Sequence, residues 1–212
     1  MEKKTLRPHQ REAVDAIVMA LELPARSFVP ERGLRTQVIM ATGSGKTLVA
    51  AHSAQELHAG RVLVLVPSLD LLAQTEAAWR EGGRTGPMIG VSSLRGDEVV
   101  FPNTTDADEL VAWVKPFDHV TVFATYASLG LGTLERAHTA GLTGWDLIVV
   151  DEAHRVSGRI GKPWAVVQCT SGHRPSVPQS WAAPPLMDAR PILHPPPGAE
   201  LAPASEPLHS TR

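Results

Sequence analysis

The stretch Val38-Ile39-Met40-Ala41-Thr42-Gly43-Ser44-Gly45-Lys46-Thr47, running on into Leu48-Val49-Ala50-Ala51, leaves few folds open to this chain. It reads as an apolar strand, a glycine loop and the start of a helix. Gly43 and Gly45 permit the backbone angles that turn successive N–H groups into one concavity, and a helix N-terminus behind them adds partial positive charge. Polyphosphate is the natural occupant of such a cradle. Lys46 would reach its terminal phosphates, and the Thr47 hydroxyl would bind Mg²⁺. The general phosphate-loop pattern G-x-x-x-x-G-K-[ST] asks for glycine where this chain has Met40, so the consensus is broken at its first position.

A second element bears on the same chemistry. Asp146-Leu147-Ile148-Val149-Val150 is an apolar run ending in Asp151-Glu152-Ala153-His154, which places two carboxylates at the C-terminal end of a buried strand. Ligands of open parallel sheets bind at that end. Asp151 can hold Mg²⁺ through water and Glu152 can polarise an attacking water, the division of labour that phosphoryl transfer requires. A glycine-lysine loop alone is compatible with a surface turn, and an acidic tetrad alone with a solvated strand exit. Together, each after its own strand, they predict an ATP or GTP site.

The remaining periodicities predict the frame around that site. Apolar positions 13, 14, 17, 18 and 21 recur at helical spacing after Pro8. Strands are predicted near 36–40, 61–66, 88–92, 119–124 and 146–150, with helical segments between them and Thr125–Ser128 as an exit loop. The run Arg61–Val66 does not alternate, as expected of a strand covered on both faces. Strands alternating with helices predict a three-layer α/β domain with a mostly parallel sheet. Residues 1–35 are read as part of that lobe and 36–167 as its body. Trp79, Trp113, Trp145 and Trp164 are expected in the core, and His52, His58 and His138 as surface or packing residues rather than ligands.

From residue 168 to Arg212 the pattern stops. This segment holds 10 of the 18 prolines and no lysine, so it is expected to be a disordered Pro-rich tail without a strand, and a reading-frame shift near residues 165–170 is its expected origin. A net charge of −2 confines any nucleic-acid surface to a local groove. The single cysteine, Cys169, excludes an internal disulfide and is too few for a structural zinc site, which fits a reducing, cytoplasmic setting. No apolar stretch approaches a membrane span, so no membrane partner is expected.

Leu6–Gln10, Ala41–Thr47, Pro67–Gln74, Ala124–Ser128 and Asp151–His154, taken in order, resemble the N-terminal RecA-like lobe of superfamily-two helicases, DEAD/DEAH type, in the bacterial group related to restriction-type and helicase-associated-domain proteins. The resemblance covers about residues 5–167. Its phosphate loop is often A-x-T-G-x-G-K-T, which removes the objection at Met40. The resemblance implies that Gln10 reads adenine, favouring ATP over GTP, the alternative being an exposed helix N-terminal residue. It also implies that Thr42, Gly43, Ser44, Gly45, Lys46 and Thr47 hold ATP, with Mg²⁺ on Thr47 and Asp151.

Pro67, Ser68, Gln74, Thr125 and Tyr126 would touch nucleic acid, DNA ahead of RNA, and His154 would couple nucleotide state to a second lobe. For Tyr126 a packing role is the stronger alternative. The Ser/Thr-Ala-Thr strand exit and the second RecA-like lobe of the family are missing, so the expected function is the ATP-binding lobe of a nucleic-acid-dependent ATPase in truncated form. The alternative is a nucleotide- and nucleic-acid-binding fragment without turnover. A P-loop kinase is disfavoured, because the strand exits at 67–74 and 124–128 would then have no purpose.

Overall fold

The computed structural model describes residues 4–22, 34–94 and 101–152 and the backbone of 186–190. These form seven strands, all paired in parallel, in the order β1-β7-β6-β2-β5-β3-β4. Strand β1 is Arg35–Ile39, β2 Arg61–Val66, β3 Met88–Val91, β4 Asn103–Thr104, β5 Val120–Thr125, β6 Leu147–Asp151 and β7 Leu186–Arg190. Six helices separate them: α1 Pro8–Leu21, α2 Lys46–Glu56, α3 Leu69–Glu81, α4 Ala107–Val114, α5 Tyr126–Leu129 and α6 Thr133–Thr139.

The unbroken apolar run of β2 has the meaning its composition implied. Successive side chains on a strand point to opposite faces, and here Val62, Val64 and Val66 join one core while Leu63 and Leu65 join the other. The first core receives Val14 and Ile17 of α1, Val49 and Ala54 of α2, and Leu72 and Trp79 of α3. The second receives Leu110 and Val114 of α4, Tyr126 of α5 and Leu134 of α6. The result is a three-layer α/β domain with α1–α3 on one face and α4–α6 on the other. Phe123 anchors the first core, with its ring edge-on to Trp79 at 6.0 Å. Helix α4 starts at a side-chain cap, the Asp106 carboxylate accepting from the Glu109 N–H.

Four expectations are corrected. Strand β1, read as a core strand, is the end strand of the sheet and its burial alternates between exposed and half-buried. Thr125–Ser128, read as an exit loop, gives its last three residues to a helical turn, Tyr126–Leu129, capped by the Thr125 hydroxyl, which accepts from the Ser128 N–H at 3.2 Å. Strand β4 was missed because two residues carry no period. Last, the segment from 168 onward supplies a strand after all: β7 pairs with β1 along Arg35–Ile39 and with β6 along Ile148–Asp151. A gap between two parallel strands leaves backbone donors and acceptors unsatisfied on both sides. Leu186–Arg190, proline-free between Pro185 and Pro191, satisfies both. The remainder of 153–212, with Trp164, Cys169 and the expected tail, lies outside the described residues.

At the end of the sheet away from the loops, Arg84 is 3% exposed. Its guanidinium donates to the carbonyls of Ala59 and Gly60 and to the Thr121 hydroxyl, and burial lowers its pKa to about 10 against the opposing pull of Asp146. Nothing local in the sequence marked it. His52 is buried against the Lys4 carbonyl, a packing role as expected.

His138 packs edge-on to Trp145, and its ring Nδ1 lies 2.9 Å from the Leu142 carbonyl. Burial pushes its pKa below 6.5 despite that hydrogen bond. Between the depressed folded value and 6.5 the unfolded chain binds more protons than the folded one, so stability is full above 6.5 and falls on acidification through that window. Burial lowers the His119 pKa too, so it acts in the same direction. Urea midpoints should therefore drop from pH 7.5 to pH 5.5, and His138→Gln should flatten that dependence. An identical slope in the variant would place the titrating group elsewhere.

Candidate functional site

The loop between β1 and α2 folds around its two glycines. Gly43 has φ +77° and Gly45, the N-cap of α2, φ +88°. Between them the Ser44 N–H and hydroxyl both donate to the Ala41 carbonyl, at 3.2 and 2.6 Å. Gly45 is required twice over, since a Cβ there would stand 2.3 Å from Gln10 Nε2. Met40, which breaks the general consensus, is 8% exposed and packs into the first core. Its side chain points away from the loop's work, so the missing glycine costs the loop nothing.

Lys46 and Thr47, at the first turn of α2, meet Asp151 at the end of β6 around one small cavity floored by Ala50, Val64 and Val149. At about 10 Å³ it holds roughly one water, so it is the floor of a site and not its full extent. Lys46 forms no salt bridge among the described residues. Thr75 and Trp79 close the cavity from α3. Sequence reading placed Trp79 only in the core. Its i, i+4 spacing from Thr75 was the signal that both face the same way. The Trp79 indole N–H is buried without a hydrogen-bond partner among the described residues.

Glu152 follows Asp151 with φ +53°, a left-handed backbone that costs a non-glycine residue about 1–2 kcal/mol. Such strain collects at functional sites. The Asp151 carbonyl accepts from the Tyr126 hydroxyl, which arrives from β5 on the far side of β2.

Gln10 is 5% exposed, which rules out the exposed helix-end alternative. Its Oε1 accepts from the Arg7 N–H at 2.9 Å, and its Nε2 donates to the Ser44 carbonyl at 2.7 Å. The first turn of α1 is thereby tied to the glycine loop. One N–H and one lone pair of the amide stay available.

The residues expected to touch a nucleic-acid strand divide. Pro67 and Ser68 are half-buried where β2 gives way to α3, and Gln74 is exposed on α3. Ser68 is the N-cap of α3 and its side chain makes no capping hydrogen bond. Thr125 and Tyr126 are 3% and 4% exposed, so neither presents its side chain to solvent. Tyr126 takes the packing role, because the second core and the Asp151 carbonyl satisfy both its ring and its hydroxyl. His154 lies outside the described residues. No helix of the described residues is long and apolar enough to cross a membrane.

Residues 3–173 match the family described as type III restriction enzyme, res subunit. The chain is 32% identical over 169 residues to a Halobacterium salinarum protein that carries the name DNA 3'-5' helicase Rad25, a match that spans 80% of this chain and 22% of that protein. Its fold is similar to the type ISP restriction-modification enzyme LlaGI, seen as a nuclease-deletion mutant with a DNA substrate mimic, at a TM-score of 0.66 and 25% identity over 87% of this chain and 17% of that one. It is also similar to the Hef helicase domain of Pyrococcus furiosus, at a TM-score of 0.53 and 17% identity over 89% of this chain and 34% of that one. The chain thus spans about a fifth of the curated relative's length. By the family match along most of its length and by its parallel-sheet fold, the chain belongs to the type III restriction enzyme res-subunit family and is a RecA-like, ATP-binding lobe of the superfamily-two helicase kind.

Proposed function

We propose that the chain binds Mg²⁺-ATP on the loop 41–47 and belongs to a DNA-dependent motor that converts ATP and water to ADP and phosphate. The observation that carries this reading is the convergence of Lys46, Thr47 and Asp151 on one cavity beside two left-handed glycines. Those residues fit the ligand. The loop offers backbone donors at a helix N-terminus, a lysine in no salt bridge among the described residues, and, with β6, two oxygen donors for a divalent cation. Bound Mg²⁺ would supply charge neutralisation at the β- and γ-phosphate oxygens.

The loop amides and Lys46 would hold the terminal phosphates, Thr47 and Asp151 would hold the cation, and Glu152 would orient and polarise the attacking water. Gln10, already fixed by Arg7 and Ser44, turns its remaining donor and acceptor to the adenine edge. Ser68, with the N-terminal amides of α3, grips phosphates of the DNA strand, a contact that needs donors rather than net charge. Gln74 lies on the same helix, and His154 carries nucleotide state toward a second lobe.

The test is calorimetric ATP binding and ATPase rate of the purified chain, with and without single-stranded oligo(dT). Binding that requires Mg²⁺, with turnover raised by oligo(dT), supports the motor reading. Binding without turnover selects the binding-fragment alternative. Ser68→Ala should weaken oligo(dT) binding severalfold, one phosphate contact's worth, and leave ATP affinity alone. Equal affinity for oligo(dT) would remove Ser68 from that surface.

A further inference from the structure

We infer that Tyr126 is a positioning residue for Glu152, aiming its carboxylate through the Asp151–Glu152 peptide. The inference rests on the reading that Glu152 polarises the attacking water. Tyr126 is the chain's single tyrosine and is buried in the second core. Its hydroxyl donates to the Asp151 carbonyl.

That carbonyl and the Glu152 N–H belong to one planar peptide unit, so holding the oxygen sets the orientation of the whole plane. The plane in turn sets the direction in which the chain enters Glu152. Glu152 stands at φ +53°, a backbone conformation that few non-glycine residues adopt. A residue in the left-handed region sends its side chain in a different direction from one that continues the strand. The bond from Tyr126 therefore falls on the unit whose rotation decides where the carboxylate aims.

The base from which Tyr126 acts is rigid. The Thr125 hydroxyl accepts from the Ser128 N–H, and the Ser128 hydroxyl donates back to the Thr125 carbonyl at 2.7 Å. In the sheet, β2 lies between β5 and β6. The side chain thus bridges two strand spacings, about 9.6 Å, over the C-terminal end of β2. Phenylalanine keeps the ring in the core and removes the hydroxyl that makes the bond.

The experiment uses the full chain. Tyr126→Phe should bind Mg²⁺-ATP with affinity and KM within about twofold of the parent, while kcat falls about tenfold or more, since a small misplacement of a catalytic group is enough for that. Combined with Glu152→Gln, it should lower the rate no further than Glu152→Gln alone. A ¹³Cζ-tyrosine label gives one resonance, and in the parent that resonance should shift on saturation with Mg²⁺ and a non-hydrolysable ATP analogue. That readout holds even if turnover by this chain is slow, and a tyrosine serving packing alone would not show it. A parent-like kcat in Tyr126→Phe overturns the inference, as does an unmoved resonance while calorimetry registers bound nucleotide. If the parent chain binds no nucleotide, the nucleotide reading fails and takes this inference with it.

Discussion

Lys46→Ala should lower the affinity for Mg²⁺-ATP by about tenfold or more, because a hydrogen bond to a charged group is worth about 1.5–3 kcal/mol. The lysine opens α2 beside the left-handed Gly45 and forms no salt bridge among the described residues, so its loss removes charge opposite the phosphates without breaking a structural pair. The helix itself is held from below by Leu48, Val49 and Ala50, all buried. Thermal stability without nucleotide should therefore stay near that of the parent, while the shift in melting temperature on adding Mg²⁺-ATP largely disappears. Calorimetry or a fluorescent-nucleotide titration measures the affinity directly. Equal affinity in parent and variant would sink the assigned site.

Glu152→Gln should separate binding from chemistry. The amide keeps the size and hydrogen-bonding reach of the carboxylate, and the strained backbone at φ +53° is unchanged in kind. What it loses is the base, so ATP still binds while hydrolysis falls by roughly 10²-fold or more. Asp151→Ala should behave differently, weakening binding in proportion to its dependence on Mg²⁺. A Glu152→Gln variant that hydrolyses ATP at the parent rate would mean that the water is activated by another group.

Much of this was legible before any coordinates. The loop from Ala41 to Thr47 could be read because its requirements are local: glycine at two left-handed positions, lysine and threonine at fixed offsets from them, and an apolar run just before. The two-sided burial of β2 was readable for the same reason. Tyr126 shows where local reading stops. Its position after a strand fitted both a surface contact and a packed ring, and the choice lay with an acceptor on β6 that no spacing in the sequence announces.

The sequence by itself determined the composition of the layers and the identity of the loop, because hydrophobic period and glycine dihedral freedom act within a few residues of themselves. Tertiary structure alone decided the rest. The slot between β1 and β6 took up Leu186–Arg190, because hydrogen-bonding groups bare on two sides select any short extended segment without proline, whatever the average composition around it. The Gln10 amide was committed to Ser44, and the Arg84 guanidinium to carbonyls at the opposite end of the sheet. Each of these is a bond between segments whose separation along the chain carries no signal. Only closure of the sheet brings donor and acceptor together.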